Sequence, residues 1–309
     1  MKRFCALLCA ALLALTAGAA FAEGGWFDSV MESRHRGEHE EREPKPYVAG
    51  LTIYGEIDAA DYSYDHYGTL DAIDALIDDE DNLGLILLLD TPGGSMYEAD
   101  ELYHQLMLYR EETGRPIYAY MEQECCSAGV YIAMAAEKIY AARMTITGSI
   151  GVYTEMSDSA GLLEKLGLNV TYFATGENKI PALDSLTDEQ RAIYQAVVDE
   201  SFGFFKDAIA LARGEELLAD AELLDGRILT ASQALSKGLI DGLFYYEEAI
   251  DEFYELGGFG DAELRDVTPE DWYDSFSSGR FNLTQIDEEN AEEAAQLLME
   301  FLRQLGGAA

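Results

Sequence analysis

A serine hydroxyl is a weak nucleophile until a neighbouring group takes its proton, and an amine that is neutral near pH 7 can be that group. The chain offers a candidate of each kind. Ser127 lies in Cys125-Cys126-Ser127-Ala128-Gly129, and Lys179 follows 52 positions later in Thr175-Gly176-Glu177-Asn178-Lys179. To act as a base, Lys179 must be buried enough to lose several pKa units from about 10.4. Lysine is scarce, with six after residue 22, so one in a short Gly-bearing loop stands out. Histidine is the commoner base. However, His35 and His39 fall in a charged stretch, His66 in a Tyr/Asp-rich loop, and His104 on a helix where a structural role is expected. His35 and His39 are four apart but lack a further ligand cluster, so they read as linker, and neither metal nor cofactor is expected.

Acyl transfer also needs backbone donors aimed where negative charge develops on the carbonyl oxygen. The Pro92-Gly93-Gly94 turn lets backbone approach a ligand, because glycine has no Cβ, and the Gly94 N–H is one candidate donor. Ser127 opens a predicted helix whose first N–H groups are unpaired, so the Ala128 N–H is the other. Cys126 sets a thiol beside the serine, but adjacent side chains diverge, and the serine is preferred. Beyond residue 22 the cysteines are Cys125 and Cys126, which could close only a strained ring; both are expected as free, buried thiols.

The elements that must hold these groups follow from periodicity. Val48 to Ile57 is strand-like, Thr69 to Asp79 has helical spacing, and Leu83 to Leu89 is the continuous apolar run of a buried parallel strand. Met96 to Arg110 reads as a helix, Pro116 to Met121 as a strand, and a helix runs from the Ser127 region through Ala136. Lys138 to Ala142 is strand-like, Thr145 to Val152 a loop, Ser159 to Leu166 a helix, and Asn169 to Ala174 a strand delivering Lys179. Thr187 with Gln190 forms a capping box that opens a long helix through Ala212, and a shorter helix spans Ala231 to Lys237. Alternating strands and helices indicate an α/β fold.

Met1-Lys2-Arg3 followed by an apolar run to Phe21 and the small-x-small Ala20-Phe21-Ala22 reads as a signal peptide over 1–22, or as an uncleaved anchor. Export to an extracytoplasmic compartment is expected. Residues 23–46 form a polar, charged tether, 47–250 the folded domain, and 251–309 an acidic extension. That extension ends in a predicted amphipathic helix carrying Leu297, Leu298, Phe301, Leu302 and Leu305, for which docking on the body, a partner subunit or the site all stay open. The composition is 49% hydrophobic and 11% aromatic, enough for a substantial core. Fifty-nine acids against 20 bases give −39, and loss of Lys2 and Arg3 with the signal takes this to −41. Such a surface repels nucleic acid and anionic lipid headgroups.

Four blocks in order carry a resemblance. They are Leu87-Leu88-Leu89-Asp90-Thr91-Pro92-Gly93-Gly94, the run from Cys126 to Ala136, Thr145-Ile146-Thr147-Gly148-Ser149-Ile150-Gly151-Val152, and the stretch from Asp225-Gly226-Arg227 to Gly238-Leu239-Ile240-Asp241. From about Tyr47 to Gly242 the chain resembles the signal peptide peptidase A (SppA) family of exported Ser-Lys proteases, in the ClpP/crotonase superfamily. The resemblance implies a repeated ββα core and an endopeptidase with Ser127 as nucleophile and Lys179 as general base. Ser149 would orient the lysine, and Gly94 would be an oxyanion donor. It further implies peptide substrates rich in small or apolar residues, such as signal peptide remnants, a ring-shaped homo-oligomer, and a dyad that subunits can share. Here Ala128 follows the nucleophile where the family commonly has glycine, and Ile180 follows the lysine where many members have an acid. A noncatalytic relative acting in assembly or peptide binding is the alternative.

Overall fold

A computed structural model describes residues 45–60, 63–157, 159–168, 170–176, 178–179 and 186–269. The signal segment, the tether to residue 44, and the terminal helix read from the sequence lie outside them. Eight strands form one sheet: β1 (Tyr47–Tyr54), β2 (Asn82–Thr91), β3 (Ile117–Cys126), β4 (Lys138–Ala141), β5 (Ile146–Gly148), β6 (Ile228–Thr230), β7 (Gly242–Leu243) and β8 (Glu263–Asp266). The path runs β6-β5-β3-β2-β1-β8, with β4 also pairing with β3 and β7 pairing with β4. Every pair is parallel except β5 with β6. Seven α-helices are described: α1 (His66–Asp78), α2 (Met96–Thr113), α3 (Ala128–Ala133), α4 (Ala160–Lys165), α5 (Asp188–Arg213), α6 (Ala231–Lys237) and α7 (Tyr246–Gly257), with a short 3-10 turn at Glu215–Ala219.

Period-two alternation divides the strands between two cores. Ala49, Leu51, Leu85, Leu87, Leu89, Ala119 and Met121 face one side, where α1, α2, α3 and α5 cover them. Val48, Ile86, Tyr118, Tyr120 and Tyr140 face the other, covered by Ala249 and Phe253 of α7 and by Phe259. There Phe253 stacks on Tyr118 and Tyr140 at 4.9 and 4.8 Å between ring centroids, both within 3° of parallel. With both faces covered, β2 reads as continuous apolar sequence.

β3 is longer than its apolar run suggested, because it serves two neighbours in turn. Tyr118–Met121 pairs with β4, and Glu124–Cys126 pairs with β5. The Thr145–Val152 stretch expected as loop therefore contains a strand. The described residues of 169–174, expected as a strand, have no regular structure. The Thr187–Gln190 capping box is present, with the Gln190 N–H donating to Thr187 Oγ1 at 3.1 Å and the Thr187 N–H to Gln190 Oε1 at 3.1 Å. Two histidines exchange roles. His104 is exposed, whereas His66 is buried at the start of α1, with Nδ1 3.1 Å from the Tyr64 hydroxyl and Nε2 3.0 Å from Glu101. The sheet also runs past residue 250, since β8 pairs with β1.

Candidate active site

The site forms where β2 and β3 end side by side. Their register shifts between Leu89 and Thr91, and Asp90 Oδ1 accepts the Glu124 N–H at 3.0 Å across the irregularity. The buried Thr91 hydroxyl then accepts the Gly93 N–H at 3.1 Å. The Gly93 carbonyl accepts from the Ile57 N–H at 2.9 Å, and the Ser95 N–H donates to the Ile57 carbonyl at 2.8 Å. Gly94 thus bridges Ile57, and its own N–H makes no hydrogen bond within the described residues. No side chain fits here: a Cβ on Gly94 would lie 2.3 Å from the Ile57 carbonyl oxygen. The turn also presses on Ser127, since a Cβ on Gly93 would be 2.8 Å from Ser127 Cβ and 3.1 Å from the Ala128 nitrogen.

Ser127 and Ser149 are the two non-glycine residues with positive φ in the described chain, at 50° and 52°. Such backbone costs on the order of 1–3 kcal/mol per residue and persists only where its surroundings impose it. Those surroundings are visible. The Ser127 N–H donates to the Gly148 carbonyl at 2.9 Å, continuing the β3–β5 ladder, and the Ser149 N–H donates to the Arg227 carbonyl at 2.8 Å. Behind Ser127, α3 is buried throughout, and a Cβ on Gly129 would lie 2.6 Å from Thr91 Cγ2. Glycine at 129 lets the helix, and with it the Ala128 N–H, sit against the strand ends.

Ser127, Ser149 and Gly94 line one cavity of about 1020 Å³. Met96, Val152, Val198, Phe202 and Leu224 give it apolar walls, and its acidic lining residues are Glu56, Asp58, Glu155, Asp199 and Asp225. Lys179 is not among the lining residues and is exposed. In fact no described residue from 151 to 189 is buried, α4 included. The structure therefore gathers the candidate nucleophile Ser127, Ser149 and the candidate donor Gly94, and leaves the candidate base outside.

Cys125 and Cys126 are free and buried. Burial pushes the Cys125 thiol well up, and burial with the Glu124 carboxylate pushes Cys126 up to about 12, so neither is a thiolate near neutral pH. Thr91 and Gly129 are positioning residues that the sequence reading passed over. Both lie inside the quoted blocks, but a hydroxyl bonding two residues ahead and a helix needing close approach show only in three dimensions.

Solved structures define the class of fold first. A lysine-to-alanine variant of the 1510-N membrane-bound stomatin-specific protease, in complex with a substrate peptide, covers 76% of this chain and 99% of its own at a TM-score of 0.51 and 18% identity. A mostly parallel α/β architecture is shared. Among curated relatives, the "Putative protease slr0021" of Synechocystis sp. is 35% identical over 189 residues, 60% of this chain and 68% of that protein. The "Putative signal peptide peptidase SppA" of Enterococcus faecium is 32% identical over 203 residues, 65% of this chain and 59% of that protein. The profile of peptidase family S49 matches residues 110–259. The chain belongs to peptidase family S49. It spans between about three fifths and two thirds of the length of these two relatives.

Proposed function

We propose that the chain is an exported serine endopeptidase that cleaves apolar-rich peptides, signal peptide remnants among them, through an acyl-enzyme on Ser127. One observation carries the reading: the strained serines 127 and 149 and the unpaired Gly94 N–H share a cavity. In the proposed cycle Lys179 Nζ, neutral, takes the Ser127 Oγ proton as Oγ attacks the peptide carbonyl carbon. The Gly94 and Ala128 N–H groups receive the oxyanion, and Ser149 Oγ orients the amine. The Lys179 ammonium then protonates the leaving nitrogen as the C–N bond breaks. Water, deprotonated by Lys179, attacks the ester, and the proton returns to Ser127 as the acid is released. No cofactor enters these steps. Export rests on the Met1-Lys2-Arg3 and apolar leader pattern, and the substrate class on the family and on the apolar cavity walls.

Lys179 must reach the cavity from outside it. A homo-oligomer supplies both the cover and the lysine: Leu162, Leu166, Leu168, Val170, Tyr172 and Phe173 stand exposed before Lys179, with Phe173 96% accessible. So much apolar surface on one segment suits burial against a second copy. A noncatalytic peptide-binding role is the second reading, favoured by the exposed position of Lys179. Cleavage of an apolar peptide by wild type, Ser127→Ala and Lys179→Ala across pH separates the two. The proposal expects both variants to lose activity and the wild-type rate to rise through one pKa. A Ser127→Ala protein that cleaves at the wild-type rate sinks it, and a wild type that binds peptide without cleaving it supports the second reading.

A further inference from the structure

The cavity that holds Ser127 has a sign as well as a shape. Among the described residues five carboxylates line it, and no lysine, arginine or histidine does. Ion pairs are few in the described chain, and some acids have them: Asp241 with Lys138 and Arg213, and Asp220 with Lys237. In the cavity only Asp225 has such a partner, with Arg227 Nη2 at 2.6 Å. Among the described residues Glu56, Asp58, Glu155 and Asp199 have no cation; Asp58 accepts the Ala60 N–H at 2.8 Å and Asp199 the Gln195 amide at 2.8 Å, both neutral donors. These four come from three separate parts of the chain: the segment after β1, the stretch beyond Ser149, and α5. They line the same cavity as Gly94 and Ser127.

A cleft lined by one sign of charge concentrates ligands of the other sign, by about tenfold or more in encounter rate at low salt. The apolar walls of Met96, Val198 and Phe202 add a surface for aliphatic stems. Building on the peptidase reading above, we propose that Glu56, Asp58, Glu155 and Asp199 make the site selective for peptides that carry lysine or arginine beside an apolar stretch, and that they exclude acidic peptides. A leader remnant has this composition, and the chain's own Met1-Lys2-Arg3 followed by Phe4-Cys5-Ala6-Leu7-Leu8 is an example of the chemistry.

The test uses three fluorogenic peptides of identical apolar sequence, differing only in a flanking Lys, Gln or Glu, with kcat/KM measured at low and high salt. The full-length wild type is expected to prefer the Lys peptide over the Glu peptide by about tenfold or more at low salt, with the difference shrinking in high salt. A Glu56→Gln/Asp58→Asn/Glu155→Gln/Asp199→Asn variant is expected to bring the Lys-to-Glu ratio close to one. Binding of the same peptides to Ser127→Ala protein, read by fluorescence anisotropy, should show the same order. Cleavage with a ratio near one in wild type, or a ratio that survives neutralisation and salt, overturns the charge selection and leaves the peptidase reading intact. Absence of cleavage together with ordered, salt-sensitive binding overturns the peptidase reading while supporting the charge selection.

Discussion

At the scale of single residues, the site depends on two serines held where serine backbone is costly and on a glycine that admits no substitute. Gly94→Ala sets a Cβ 2.3 Å from the Ile57 carbonyl oxygen, so the turn must shift and carry its N–H with it. A displaced oxyanion donor costs about 10²-fold in kcat, and the strain about 1–3 kcal/mol of stability; peptide kinetics and a melting curve read the two separately. The thiols lead to the opposite expectation. With Cys126 buried and its pKa pushed up to about 12, iodoacetamide at pH 8 is expected to leave activity unchanged. Rapid inactivation by alkylation would instead point to a cysteine nucleophile. That Ser127, Ser149 and Gly94 meet at one cavity could be anticipated from the sequence, because a Gly-Gly turn at a strand end and a serine opening a helix are recognisable patterns. The exposure of Lys179 was not legible, since burial belongs to whatever covers a loop.

Among the elements, the end of α5 is fixed to β4 and to the turn before β7 by Asp241. Its carboxylate meets Arg213 Nη1 at 2.7 Å, Lys138 Nζ at 3.1 Å and the Ile139 N–H at 2.9 Å. Burial alone would raise its pKa, but the Ile139 N–H and the two cations more than offset that and hold the carboxyl below the usual range. A depressed folded pKa contributes stability above the unfolded value of about 3.9, lost as pH falls through the folded one. Asp241→Ala should therefore cost about 3 kcal/mol near neutral pH, with wild type and variant converging below about pH 4 in denaturant titrations. The loss is enlarged because Arg213 Nε and Nη2 are buried without a partner among the described residues. Strands buried on both faces and the Thr187 capping box were readable from pattern alone. β5 and β8 were not, because Ile146-Thr147-Gly148 and Glu263-Leu264-Arg265-Asp266 hold one apolar side chain each and owe their form to the neighbours they pair with.

For the whole molecule, catalysis and assembly become one question. The described chain places Ser127, Ser149 and the Gly94 N–H on one cavity but leaves Lys179 and the apolar side chains before it in solvent. If copies of the chain cover that segment, sedimentation should show an oligomer, and Leu166→Asp/Phe173→Asp should yield smaller species that lose peptidase activity in parallel. A fully active monomer would contradict the account of how the lysine arrives. The sequence could suggest an assembly only through resemblance, because the exposure of the described residues between 151 and 189 is a property of the folded chain.

The most direct test of the central claim is covalent. Wild type, Ser127→Ala and Lys179→Ala are treated with a serine-directed fluorophosphonate, and the adduct is mapped by peptide mass spectrometry. The account predicts one adduct on Ser127 in wild type, none in Ser127→Ala, and strongly slowed labelling in Lys179→Ala. An adduct elsewhere, or Ser127 labelling that is indifferent to Lys179, would contradict the Ser127–Lys179 dyad.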